Sequence, residues 1–249
     1  MSRRYDSKTT TFNPQGRLMQ VEYAMEAINN AGSTVGVLCS EGIVIGAERK
    51  QTSKLLERSK YSEKMYQIDS HIVCAAAGLT ADANILINYA RNMCQNYQFS
   101  YHQQIPVEQL VRQLCNAKQG YTQHGGLRPF GVSFLYAGWD PIYGSQLYCS
   151  DPSGNYLGWK AIAIGANNQS ASGILKQDYD ENCSLRQALG LVAKVICKSM
   201  DTTTPTPDKS KNYVVELITV TKSEKGVHYK ALSDEEVQGL LQEFNLVNQ

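Results

Sequence analysis

Several things are scarce in this chain of 249 residues, and each scarcity closes a class of function. No two of its seven cysteines approach Cys-x-x-Cys spacing, so the zinc-ribbon and thioredoxin-type redox patterns are absent. Cys39, Cys74, Cys94, Cys115, Cys149, Cys183 and Cys197 stand singly, mostly among apolar neighbours, and read as reduced core thiols of a cytoplasmic or nuclear protein. No apolar run reaches about 18 residues, so no membrane span is expected. The opening Met-Ser-Arg-Arg-Tyr-Asp has no apolar core and does not read as a signal peptide. The two Asn-x-Ser/Thr sequons, at Asn168 and Asn182, therefore read as coincidence.

Charge of one sign is also missing. The 24 basic and 23 acidic residues leave a net charge of +1 with no basic stripe, so a nucleic-acid partner is not expected. His71, His102, His124 and His228 are scattered without metal-ligand spacing, and no cofactor is expected. There is no Gly-x-Ser-x-Gly elbow and no phosphate-binding Gly-Lys-Ser/Thr loop.

What is present divides cleanly. Pro14 and Gly16 mark a turn, and from Arg17 to Asn30 the residues Leu18, Val21, Met25 and Ile28 recur at helical spacing. Thr34–Cys39 and Ile43–Ala47 read as a hairpin about Ser40-Glu41-Gly42. Ile72–Ala77 is a third strand. A helix from about Thr80 shows Ile85, Leu86, Tyr89, Ala90 and Met93 on one face. The next opens at Pro106 and buries Val107, Leu110, Val111 and Leu114.

A strand-rich block follows at Phe130–Ala137, Gln146–Ser150 and Lys160–Ile164. Two helices cover about Gln169–Tyr179 and Ser184–Met200, the second opened by a Ser184/Gln187 capping box. After a Thr-Pro-Thr-Pro loop come a strand, Val214–Val220, and a helix opened by Ser233 and Glu236. Strands arriving in groups, with helix pairs between them, predict antiparallel sheets in an α+β, four-layer αββα sandwich.

The segment Asn13–Ala24, NPQGRLMQVEYA, closely resembles the N-terminal signature of proteasome α subunits. HGGLRPFGVS (His124–Ser133) and DPSG (Asp151–Gly154) resemble two further segments of that family, in the same order. His124 stands where the family usually has tyrosine. SRRYDS at the start and GWD (Gly138–Asp140) narrow the resemblance to the third position of the α ring, although the long charged C-terminal tail of some members there is absent. The resemblance covers nearly the whole chain. It implies the N-terminal-nucleophile hydrolase sandwich as one domain over 1–249: a gate tail at 1–12, an extra helix at 17–30 and the sandwich at 34–249.

Catalytic members of that family free an N-terminal threonine whose own amine serves as base. Alignment on Val35-Gly36 puts Gly32 at the nucleophile position, with Glu48 and Lys64 at the positions of the catalytic carboxylate and lysine. Loss of a nucleophile costs on the order of a million-fold in rate in comparable triads, so an inert member of a threonine endopeptidase complex is expected. One alternative stays open: cleavage between Gly32 and Ser33 would free a Ser33 amine and make a serine hydrolase. The apolar stripe of the preceding helix argues against a disposable propeptide.

The resemblance further implies a seven-membered α ring with neighbouring α subunits, contact with the β-ring subunits, and docking of activators or a regulatory particle. Tyr5, Asp6, Pro14 and Tyr23 match the gate cluster, and Arg3, also assigned to the gate, could with Arg4 hydrogen-bond neighbouring tails across the pore. Gly32, Lys64, Gly78 and Leu79 match the pocket that receives activator C-termini. Gln20, Glu22 and Glu26 offer a polar face for neighbours or the pore. The implied role is control of substrate entry in ubiquitin-dependent and ubiquitin-independent protein degradation.

Overall fold

The structure is a computed structural model and describes residues 7–49, 55, 64–201, 214–224 and 226–246. Of the sequence expectations, Arg3, Arg4, Tyr5, Asp6 and the Thr-Pro-Thr-Pro loop lie outside those residues.

Two five-stranded antiparallel sheets form the centre. The first is built from β1 (Thr34–Cys39), β2 (Gly42–Arg49), β8 (Ala161–Ile164), β9 (Val214–Ser223) and β10 (Gly226–Ala231), in the order β10-β9-β2-β1-β8. The second contains β3 (Met65–Asp69), β4 (Ile72–Gly78), β5 (Val132–Asp140), β6 (Gly144–Ser150) and β7 (Tyr156–Gly158), in that order. Helices α4 (Asn168–Asp178), α5 (Leu185–Asp201) and α6 (Asp234–Glu243) cover the first sheet. Helices α2 (Thr80–Tyr101) and α3 (Val107–Gln123) cover the second. This is the expected four-layer αββα sandwich, preceded by α1 (Met19–Asn29).

The layering follows from strand periodicity. Successive side chains point to opposite faces, so a strand buried on both sides must be apolar throughout. In β4, Val73, Ala75 and Ala77 face the other sheet, while Ile72, Cys74 and Ala76 face α2 and α3. In β2, Ile43, Ile45 and Ala47 face the inter-sheet core, and Val44 faces the α5 side. Gly46 lies under α5: a Cβ there would approach Val192 Cγ1 to 2.5 Å and Ile196 Cδ1 to 2.7 Å. That close approach of helix to sheet requires the missing side chain.

Both anticipated capping boxes form. Ser184 N–H donates to Gln187 Oε1 at 2.9 Å, and Ser233 Oγ accepts from the Glu236 N–H at 3.3 Å. The anticipated face of α2 needs correction. Ala83, Leu86, Ile87, Ala90, Met93 and Cys94 are buried, whereas Ile85 and Tyr89 lie exposed on its flank. Strands β3, β7 and β10 go beyond what the sequence pattern predicts. None of the seven cysteines is in a disulfide, and five of them are buried.

Helix α1 belongs to the sandwich. Its Ile28 is buried in the inter-sheet cluster with Ile43, Ile45, Ala75 and Leu135. Truncating a buried isoleucine to alanine costs about 2–5 kcal/mol, so this contact fixes the helix against the domain.

Candidate functional site

The site begins where α1 hands over to β1. Ala31 C=O accepts from the Ala166 N–H at 2.7 Å, and Gly165 packs so closely that a Cβ there would lie 2.7 Å from Gly32 O. Ser33 is buried. Its N–H donates to Glu48 Oε2 at 3.2 Å, its C=O accepts from the Glu48 N–H at 2.9 Å, and its hydroxyl donates to Ala166 O at 2.7 Å. Ser199 on α5 approaches the same hydroxyl at 3.3 Å. The segment is thus stitched to both β2 and the β8–α4 turn.

Around Gly32 the expected trio assembles. A Cβ on Gly32 would run into Lys64 Nζ and come within 3.3 Å of Glu48 O and 3.4 Å of Glu48 Oε2. Carboxylate and ammonium therefore flank position 32, which has no side chain to serve. Glu48 is buried and Lys64 half-buried. The frame holds charge, but its nucleophile position is empty of any side chain.

Gly78 and Leu79 adjoin this frame through β-pairing. The Ala76 N–H donates to Lys64 O at 2.8 Å, which sets Lys64 two residues from Gly78 across the strand pair. Gly78 has φ +129°, and a Cβ there would collide with Gly131 O. Leu79 N–H donates to Gly131 O at 2.9 Å, and its side chain is half exposed, 48%. The structure thus brings Gly32 and Lys64 into contact and places Gly78 and Leu79 at the end of the neighbouring strand.

The gate positions that can be described, Pro14 and Tyr23, are both exposed. Pro14 sits in a turn organised by its neighbour. Asn13 Oδ1 accepts from the backbone N–H of Gln15 at 3.0 Å and of Arg17 at 2.8 Å. Gly16 at φ +74° closes the turn, with its N–H donating to Asn13 O at 2.9 Å, and Phe12 bridges Leu18 across it. Arg17 then pairs with Glu22 at 2.7 Å on the exposed side of α1. The turn-forming role of Asn13 is not among the sequence expectations, although Asn before Pro in an x-N-P-x-G stretch is a recognised turn signal.

Two further unanticipated residues support the Leu79 edge. Arg128 Nη1 and Nη2 donate to Asp82 Oδ2 and Oδ1 at 2.6 and 2.9 Å, and the Gly131 N–H donates to Asp82 Oδ2 at 2.9 Å. Arg128 holds the Asp82 carboxyl below the usual carboxylate range against the opposing effect of burial, with help from the Gly131 N–H.

Two family models match the chain. One, described as proteasome subunit, covers residues 28–216, and the other, the N-terminal signature of A-type proteasome subunits, covers residues 5–27. The chain belongs to the proteasome subunit family, in its α-type branch.

Among curated relatives, the alpha type-4 proteasome subunit of Petunia hybrida is 58% identical over 241 residues, covering 97% of this chain and 95% of the relative. The protein of that name from Spinacia oleracea is 58% identical over 246 residues, 99% and 97% of the two chains. The alpha type-4-1 proteasome subunit of Oryza sativa subsp. indica is 62% identical over 209 residues, 84% of each. These relatives share the type-4 designation, which is the α-subunit type that SRRYDS and GWD resemble. This α-type member of the family assembles with other proteasome subunits. With glycine at position 32 it is a non-catalytic member of a threonine protease complex. Among the described residues no helix is long and apolar enough to cross a membrane, and no cluster of three or more His, Cys, Asp or Glu could hold a metal.

Proposed function

We propose that this subunit controls entry to the proteolytic chamber and receives activators, within a seven-membered α ring seated on the catalytic β rings. Residues 1–12 act as the gate tail: Arg3 reaches neighbouring tails, and Tyr5, Asp6, Pro14 and Tyr23 hold the open arrangement. Tyrosine supplies a hydroxyl and a flat apolar face, aspartate accepts hydrogen bonds, and proline restricts the turn. Each such bond is worth about 1 kcal/mol net, weak enough for the tail to exchange between states.

Gly32, Lys64, Gly78 and Leu79 form the activator pocket, with Lys64 meeting a C-terminal carboxylate. A charge-assisted bond of that kind contributes about 1.5–3 kcal/mol, and several pockets around a ring act together through avidity. The observation that carries this reading is the Lys64 ammonium lodged against a side-chain-free Gly32. With no side chain at position 32, the Lys64 tip lies at a position left open on that side, where the carboxylate of an incoming segment would meet a cation.

The domain divides as a tail at 1–12, a ring-facing helix at 17–30 and the sandwich from 34 onward. The subunit serves ubiquitin-dependent and ubiquitin-independent degradation in the cytoplasm and nucleus, a setting that suits seven cysteines without a disulfide. The test uses assembled core particles. Deleting residues 2–12 should raise basal peptide hydrolysis, and Lys64→Ala should weaken activator binding without loss of assembly. Unchanged hydrolysis would remove the gating role, and unchanged activator binding would remove the docking role.

A further inference from the structure

The loop before β5 and the first turn of α2 are joined by a side-chain clamp that lies outside the pocket proper. Asp82 is 4% exposed and sits in the first turn of α2, three residues beyond Leu79. Its two oxygens accept from Arg128 Nη1 and Nη2 and from the Gly131 N–H, at 2.6–2.9 Å. Arg128 Nη1 also donates to Pro129 O at 3.1 Å, which fixes the Arg128–Gly131 turn from the inside.

Gly131 in turn receives the Leu79 edge. Its C=O accepts the Leu79 N–H at 2.9 Å, and a Cβ on Gly131 would lie 2.9 Å from Leu79 Cδ1. Gly78, immediately before Leu79, tolerates no side chain against Gly131 O. Leu79 itself caps α2 without a side-chain hydrogen bond. The orientation of this exposed leucine is therefore set by Gly131, and Gly131 is set by Asp82 and Arg128.

The geometry points to Asp82 and Arg128 as positioning residues that aim the Leu79 wall of the activator pocket toward Lys64. The inference rests on the docking role proposed above and extends it. Neither residue has to touch the incoming tail. On this reading the clamp, acting through Gly131, holds the apolar wall in place for a segment that must satisfy both the wall and the ammonium.

Arg128 is the residue to change, because its side chain is 64% exposed, whereas Asp82 is buried; glutamine in its place keeps an uncharged donor for the Asp82 carboxylate, which retains the Gly131 N–H. The assay uses a photo-crosslinking peptide that copies the C-terminal segment of an activator, added to core particles assembled with the variant chain. The peptide is supplied as the free carboxylate and as the amide, and its crosslink to this subunit is followed against concentration. Arg128→Gln is expected to raise the half-saturating concentration of the carboxylate peptide about five- to tenfold, less than the loss of a charge-assisted bond to the peptide itself, because Arg128 acts through the wall rather than on the ligand. Arg128→Lys, which keeps a cation beside Asp82, should recover part of that loss.

Lys64→Ala should cost at least as much, and adding Arg128→Gln to it should cost little more, because the wall then has nothing to aim at. Wild-type saturation by Arg128→Gln, or losses that multiply in the double variant, would overturn the positioning role while the pocket stands. Wild-type saturation by Lys64→Ala would overturn the pocket itself and the positioning role with it.

Discussion

Lys64 Nζ occupies the space into which a side chain at Gly32 would grow. The lysine tip is the movable partner in that encounter; the Glu48 carbonyl, 3.3 Å from the same point, is not. Gly32→Ala should therefore fold and assemble, displacing the ammonium rather than the strand, and should weaken activator binding. Gly32→Thr restores a hydroxyl beside Glu48 and Lys64 but not a free amine, because α1 is anchored upstream by Ile28 and by the Ala31–Ala166 hydrogen bond. The expected result is an intact mass beginning before residue 32 and no labelling by a covalent nucleophile probe. A chain starting at Ser33 in the unmodified protein would contradict the inert reading.

The Asn13 side chain offers a second test, independent of the pocket. By accepting two backbone N–H groups it does for the Pro14 turn what an N-cap does for a helix. Asn13→Ala should destabilise the turn by about 1 kcal/mol and speed hydrogen exchange at Gln15 and Arg17. Global unfolding should change little, since the turn is exposed. If the turn supports the gate tail, basal peptide hydrolysis should rise in the assembled particle; exchange rates equal to wild type would show that Asn13 does not hold the turn.

The sandwich is legible in the sequence because its core strands are apolar on both faces. Ile72–Ala77 and the Thr34–Ala47 hairpin need no partner information to be recognised. The strands that escape notice lack that signal: Tyr66 and Gln67 interrupt β3, and β10 is half exposed along its length. The expected α2 face holds at Leu86, Ala90 and Met93 and misses at Ile85 and Tyr89, where apolar identity stands in for burial. Gly32, Glu48 and Lys64 are recognised through family alignment. Asp82 carries only a helix-dipole signal in sequence, since its true partner lies 46 positions away and no local pattern reports that distance.

Acid should reveal the Asp82 clamp. Arg128, ahead of the Gly131 N–H, holds the Asp82 carboxyl low. Burial opposes the same shift in Asp140, but hydrogen bonds from the Tyr143 N–H, the Gln146 amide and the Val107 and Ile142 N–H groups outweigh it. A carboxylate depressed in the folded state stabilises the fold above its unfolded value, near 4, and that contribution is lost as pH falls through the folded value. Thermal midpoints measured from pH 6 to 3 should fall, and Arg128→Gln should make the fall shallower by removing the chief cause at Asp82. An acid limb unchanged by Arg128→Gln would show that the pair contributes nothing to stability.

At the basic end the test residue is Lys118. It is fully buried on α3, donating to Ser150 Oγ at 2.8 Å and Val132 O at 3.1 Å, with its ammonium 4.8 Å from the centre of the Phe134 ring. Burial pushes it down to about 8, partly opposed by the nearby Cys115, Cys149, Cys74 and Asp151. Between that value and its unfolded value near 10.4 the unfolded chain holds the extra proton, so this group makes stability rise with pH. The buried thiols act the other way: burial pushes Cys74, Cys94 and Cys149 up to about 12, so above about pH 9 they cost stability as the unfolded chain ionises. The two effects separate only by difference. Subtracting a Lys118→Met curve from the wild-type curve should leave a rise beginning near pH 8: Cys94 cancels, and Cys74 and Cys149, already pushed up to about 12, lose the nearby cation that lowers them and move further above the window from pH 8 to 10. At neutral pH, Lys118→Met removes a costly buried cation together with its hydrogen bonds to Ser150 and Val132, and Ser150 keeps the Tyr136 hydroxyl at 3.1 Å, so the net effect should be small. A flat difference between pH 8 and 10 would mean that Lys118 does not hold its proton less tightly in the fold.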